Sequence, residues 1–134
     1  MLTVEITSFS FKKGYPEDTS GNGGGFVFDC RALPNPGRHE EYQQVNGTQQ
    51  PVIEFFTNYR AECEEFLSSI YSLTSQSVQK YIERDFTHLM INFGCTGGQH
   101  RSVYFAEKTA EYIKKKFPVN VIVNHREQKI YKEL

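Results

Sequence analysis

Residues 89–102, Leu-Met-Ile-Asn-Phe-Gly-Cys-Thr-Gly-Gly-Gln-His-Arg-Ser, decide how this chain folds. They begin as an apolar run and end on two adjacent glycines followed by hydrogen-bonding side chains. Beyond them Val103, Ala106, Ala110 and Ile113 recur at spacings of three and four, which predicts a helix over residues 103–116 with one apolar stripe. Glu107, Lys108, Glu111, Lys114, Lys115 and Lys116 fill its other faces, with the lysines near the end where the helix dipole favours cations. Pro118 stops the helix, and residues 119–123, Val-Asn-Val-Ile-Val, read as a strand. Residues 88–123 therefore predict a βαβ unit with a right-handed crossover, the mark of an α/β fold.

A strand that turns through glycines into a helix start aims several free backbone N–H groups at one point, and the dipole adds about half a positive charge there. Arg101 contributes a fork of donors matched to two phosphate oxygens, and Thr96, Gln99, His100 and Ser102 add polar groups. A Gly97-Gly98 pair can be a plain turn, but plain turns seldom carry Cys, Thr, His, Arg and Ser so close together. Residues 96–102 thus predict an oxyanion cradle, best suited to a phosphate.

Two chemistries fit that loop. The spacing Cys95-x5-Arg101-Ser102 is that of a cysteine-dependent phosphatase, in which a thiolate attacks phosphorus, the Arg binds equatorial oxygens and the hydroxyl steadies the sulfur. Against it, Gly94 stands where such loops carry His, and the required acid is represented only by Asp29 or Asp85, by elimination. The other reading is a binding loop without catalysis, with Cys95 a small buried residue lining it.

Working outward, residues 2–11 alternate as an opening strand, residues 12–25 form a flexible glycine-rich loop, and Phe26-Val27-Phe28 is a second strand. That strand delivers Asp29 and Arg31 to its C-terminal end, where open α/β sheets place ligands, although the two residues can equally pair with each other. Leu33-Pro34-Asn35-Pro36 stiffens the following turn. Residues 38–50 carry no readable pattern. A short helix is expected over 50–59 and a longer one over 61–82, with Cys63, Phe66, Leu67, Ile70 and Leu73 as its stripe. His88 opens the third strand with no evident partner, and His125 and Arg126 leave the fourth at the edge that carries the cradle. The expectation is one domain over residues 1–134, built on a sheet of about four strands.

At 134 residues the chain suits a single core. No run approaches the apolar length of a membrane span, and the opening residues alternate like a strand rather than a signal peptide. Three cysteines without a C-x-x-C pair argue against a disulfide framework and a zinc site, so neither metal nor cofactor is expected, and the cytoplasm fits best. The net charge of −1 conceals an asymmetry. Residues 1–67 hold five Lys/Arg against ten Asp/Glu, a net of −5, and residues 68–134 hold ten against six, a net of +4. Lys114, Lys115, Lys116 and Lys129 are the candidates for tracking an RNA backbone, though lysines closing a helix are more often a solvated end.

The block Gly94-Cys95-Thr96-Gly97-Gly98-Gln99-His100-Arg101-Ser102-Val103, together with Phe28-Asp29-Cys30-Arg31-Ala32-Leu33-Pro34-Asn35-Pro36, resembles the C-terminal domain of the RapZ family of nucleotide-binding RNase adapter proteins. Residues 8–14, Ser-Phe-Ser-Phe-Lys-Lys-Gly, and the pair His125-Arg126 extend the resemblance over about residues 7–126. It implies that Asp29 and Arg31 line a metabolite pocket, that Thr96, Gly97, Gly98, His100 and Arg101 hold a phosphate, and that the ligand is an amino-sugar phosphate such as glucosamine-6-phosphate. It also implies RNA or an RNase as partner, and assembly into a homo-oligomer. Two departures stand out: Gly37 where the family has a pocket His, and Gln99 where a Lys often precedes the His-Arg pair. The family's Walker A run, Gly-x4-Gly-Lys-Ser/Thr, is not among these residues, so ATP or GTP binding ranks third, behind metabolite sensing and the phosphatase. The expectation is a stand-alone version of the C-terminal domain.

Overall fold

The computed structural model describes all 134 residues. Five strands form one sheet: β1 (Thr3–Ser10), β2 (Gly25–Asp29), β3 (His88–Cys95), β4 (Asn120–His125) and β5 (Ile130–Glu133). Their order is β2-β3-β1-β4-β5, parallel throughout except for antiparallel β5 at one edge. The fifth strand adds to the four legible in the sequence. Lys129 takes the left-handed conformation at φ 55°, which lets the chain double back into β5.

Three helices connect the strands: α1 (Gln50–Thr57), α2 (Arg60–Glu83) and α3 (Arg101–Lys116). β3, α3 and β4 are the expected βαβ unit, with β1 lying between its two strands. The helix begins two residues earlier than its apolar stripe suggests, so Arg101 and Ser102 form its first turn. In α2 the buried stripe runs through Cys63, Leu67, Ile70, Thr74 and Val78, while Leu73 is exposed. Thr74 takes the inward position because its hydroxyl donates to the Ile70 carbonyl, which satisfies it without water.

All three helices pack on one face of the sheet. Val4, Ile6, Leu89, Ile91, Phe93, Val121 and Val123 share a single core cluster with Val52, Phe56, Ile70, Phe105 and Ile113. On the opposite face lie Glu5, Thr7, Phe9, Met90 and Asn92, at the intervening positions. Residues 11–24 screen this second face. Phe11 packs where a Gly94 side chain would otherwise stand, at one end of β3, and Asn22 donates to Thr87 Oγ1 at the other. Residues 14–24 hold no helix or strand, but Asp18 gathers the N–H groups of Ser20 and Gly23 and organises the glycine-rich turn. His88, with no evident sequence partner, sits 3.3 Å from the Glu5 carboxylate on the neighbouring strand. No helix is long and apolar enough to cross a membrane.

Candidate functional site

The C-terminal ends of β2, β3 and β1 meet the start of α3, and the site lies there. α3 has no side-chain cap at its N-terminus. No backbone N–H of residues 96–101 finds an acceptor within the chain, so six consecutive donors are left over. Cys95, Thr96, Gly97, Gln99, His100 and Arg101 line a cavity of about 170 Å³, closed on the other side by Asn35 and Gly37.

The loop is held from its flanks. Ser10 Oγ donates to the Thr96 carbonyl at 2.6 Å, and Gln128 Nε2 donates to the Gly98 carbonyl at 3.2 Å. Gln99 does not point at the cavity with its amide but donates it to the carbonyls of Gln43 and Val45. The His100 ring lies 2.7 Å from the Tyr42 carbonyl, and the Gly47 N–H donates to the Gln99 carbonyl. Gly98 adopts φ 65°, and a Cβ there would come within 2.9 Å of Ser10 N, so only glycine fits. The residues that brace the loop, Tyr42 to Gly47 in space, belong to the stretch without readable pattern.

Arg101 is buried, with Nη1 donating to the carbonyls of Arg31 at 2.8 Å and Leu33 at 3.3 Å. Its Nε and Nη2 have no partner within the chain, so half of the fork remains for a ligand. Ser102 is fully buried and turned to Cys95: its N–H donates to Sγ at 3.4 Å, and its hydroxyl lies 3.2 Å from the same sulfur. Asp29 and Arg31 pair with each other, both carboxylate oxygens accepting from the guanidinium, whose carbon lies 4.1 Å over the Phe11 ring. That guanidinium holds the Asp29 carboxyl below its ordinary value, partly opposed by burial.

A second, wider cleft of about 560 Å³ adjoins the cavity and shares Asn35, Thr96 and Arg101 with it. Arg31, Arg38, His39, Tyr59 and Glu62 are among the other residues of its wall. Glu62, in the first turn of α2, enters no ion pair, which leaves its carboxylate free. Sequence reasoning had no signal for Tyr59 or Glu62; only the close approach of α2 to the turn after β2 brings them here.

Other sequence candidates lie elsewhere. His125 is fully buried, its Nδ1 2.7 Å from Ser8 Oγ and its Nε2 3.6 Å from Glu107, so it supports the sheet rather than facing either cavity. Arg126 binds Glu127 and the Gly14 carbonyl and covers the Phe9 ring. Lys114 donates to the Val119 carbonyl and Lys116 to the Tyr112 hydroxyl, at the far end of α3, about 24 Å along the helix from the loop. Lys129 is exposed beside β5. Asp85 follows α2 at the opposite end of the strands, before β3 begins, a full strand length from Cys95. Groups of three or more His, Cys, Asp or Glu placed to hold a metal ion are absent.

Comparison with known proteins gives the context of this site. The family described as the RapZ C-terminal domain matches residues 2–129. A nucleotide-binding protein of Pseudothermotoga lettingae is 39% identical over 126 residues, covering 94% of this chain and 42% of that protein. A nucleotide-binding protein of Hahella chejuensis is 40% identical over 126 residues, with the same coverage of 94% and 42%. One from Staphylococcus epidermidis is 38% identical over 129 residues, 96% of this chain and 41% of that protein. The chain thus spans about two fifths of the length of the curated relatives it matches. With nearly every residue inside the matched segment, the chain belongs to the RapZ C-terminal domain family.

Proposed function

We propose that this chain binds a small phosphorylated metabolite, with the phosphate in the cavity at residues 96–101 and the remainder of the molecule in the adjoining cleft. The observation that carries this reading is the run of six unengaged N–H groups beside the free half of the buried Arg101 guanidinium. Such a set at the start of a helix matches a tetrahedral oxyanion. The volume of the cleft, about 560 Å³, falls in the range of small-ligand sites. Glu62, facing a cleft otherwise rich in donors, favours a ligand with a cationic group. A phosphorylated amino sugar such as glucosamine-6-phosphate combines both charges. The names of the relatives, nucleotide-binding proteins, agree with a phosphorylated ligand at the coarser level. An RNA or RNase partner remains part of the reading through family membership; an RNA bound at Lys114, Lys115 and Lys116 would leave the cavity free.

The test is an amide NMR titration of the labelled protein with glucosamine-6-phosphate, glucosamine and inorganic phosphate. Saturable shifts at Gly97 and Gly98 with the phosphosugar, weaker with phosphate and absent with glucosamine, are expected. Equal shifts with glucosamine alone would remove the phosphate from the loop and end this reading.

One contact favours a second reading, a cysteine phosphatase. The Ser102 hydroxyl stands 3.2 Å from Cys95 Sγ, where it would stabilise a thiolate. It ranks second because Asp29, an acid candidate by elimination only, is engaged at both carboxylate oxygens by Arg31, which holds its carboxyl below the ordinary value. Phosphate release from an aryl phosphate, abolished in Cys95→Ser, would bring it forward.

A further inference from the structure

Three cysteines are present, all unpaired and buried. Two of them are lateral neighbours. β2 and β3 run parallel with Phe28 opposite Phe93 and Asp29 opposite Gly94, and the Cys30 N–H continues the ladder by donating to the Gly94 carbonyl at 2.8 Å. One further step along this register sets Cys30 beside Cys95. Both side chains belong to the core cluster on the helix-covered face, and two residues earlier the Phe93 ring of that cluster lies 5.5 Å from the Phe28 ring packed against it. Adjacent strands are about 4.8 Å apart, inside the Cα separation of about 4.4–6.8 Å that a disulfide spans.

The two thiols differ in access. Cys95 lines the 170 Å³ cavity and receives the Ser102 N–H at its sulfur, whereas Cys30 is fully buried and does not line that cavity. We infer that Cys30 and Cys95 form a peroxide-sensitive dithiol, in which Cys95 is oxidised from the cavity and Cys30 closes a reversible disulfide across the ends of β2 and β3. In the first step the Cys95 sulfur attacks a hydroperoxide. An S–O bond forms, the O–O bond breaks, and the departing oxygen takes the thiol proton, leaving a sulfenic acid and an alcohol or water. In the second step the Cys30 sulfur attacks the Cys95 sulfur. The S–S bond forms, the S–O bond breaks, and hydroxide leaves with the Cys30 proton as water. Two thiols give up two electrons, and one peroxide accepts them. Burial, and then the neighbouring Cys95, push the Cys30 thiol far up, in keeping with a thiol that waits for an activated partner rather than reacting first. The third cysteine, Cys63, lies on α2 with its thiol pushed up to about 11 by burial, and has no cysteine beside it in the register.

The native protein is treated with a small excess of hydrogen peroxide, the peroxide is removed with catalase, and free thiols are alkylated in denaturant. Peptide mass mapping then reads the products. Two alkylation adducts should be lost, with a peptide linking residues 30 and 95 that dithiothreitol releases, while Cys63 stays alkylated. Cys30→Ala should abolish the link and carry Cys95 on to sulfinic acid, with far-UV circular dichroism checking its fold. Three alkylated thiols, oxidation led by Cys63, or sulfinic acid at Cys95 of the unmodified sequence with Cys30 still free would each overturn the inference. No ligand enters the experiment, so its outcome is independent of the metabolite reading.

Discussion

The Arg101 guanidinium donates to the main-chain carbonyl of Arg31 at 2.8 Å, so the side chain of one arginine fixes the backbone of the other. The same nitrogen reaches the Leu33 carbonyl, which ties the turn after β2 to the first turn of α3. A single residue therefore shapes the wall of the cleft and offers donors to a ligand.

Arg101→Lys separates those roles. Lysine keeps the charge but lacks the fork, so its single nitrogen cannot hold the Arg31 and Leu33 carbonyls and also pair bidentately with a phosphate. Each charge-assisted hydrogen bond lost is worth about 1.5–3 kcal/mol, or roughly 10- to 150-fold in affinity. Calorimetric titration with phosphosugar should show a loss in that range; affinity within twofold of the unmodified protein would place the phosphate elsewhere.

Only one of the two loop glycines should be sensitive to a methyl group. Gly98→Ala meets a positive φ of 65° and main-chain atoms of Ser10 and Phe9 within 3.0 Å, so a loss of about 2 kcal/mol or more is expected in denaturant melts. Gly97→Ala has nothing within 4 Å of its new methyl and should melt like the parent protein. Equal effects would contradict the loop geometry.

Thr7→Val should stabilise the fold. Thr7 is 2% exposed, and its hydroxyl has no partner on the face away from the helices. Removing an unsatisfied buried oxygen at constant shape should gain about 1 kcal/mol. A fall in the urea midpoint would show that the hydroxyl is in fact bonded.

Glu107 links stability to pH. Burial pushes its carboxyl up, but the Lys132 ammonium that donates to it at 2.5 Å and the nearby His125 ring, 3.6 Å away, prevail, leaving it below the ordinary value of 4.5. A carboxyl lowered by folding stabilises fully above its unfolded value, and that contribution fades as pH falls through the folded value. The stability gap between the parent protein and Glu107→Gln should therefore narrow from about pH 6 to about pH 3. A gap independent of pH would exclude the ionised carboxylate as its source.

The sheet core and the loop were legible because short-range rules write them: period-two apolar strands, a stripe on α3, and glycines at a strand-to-helix turn. The brace was not. Tyr42, Gln43 and Val45 offer only main-chain carbonyls, and a carbonyl leaves no mark on residue type. Gly47 is small because the first turn of α3 lies against it, with His100 O and Tyr104 N where its Cβ would stand, a contact across more than fifty positions of chain. His125 shows the converse. A polar residue at the sheet edge that carries the cradle suggests a ligand contact, yet its partners Ser8 and Glu107 are remote in sequence and draw it into the core. Asp29 and Arg31 fall between the two cases, since adjacent opposite charges predict both pairing and function, and the pairing is formed.

Anchoring residues 96–101 from Ser10, from Gln128 and from the carbonyls before Gly47 has a thermodynamic consequence. A loop held from outside in this way is ordered by the fold itself, so binding of a phosphate there, as proposed, should give up little chain entropy. Differences in affinity among occupants should then arise from how fast each departs, with arrival rates nearly alike.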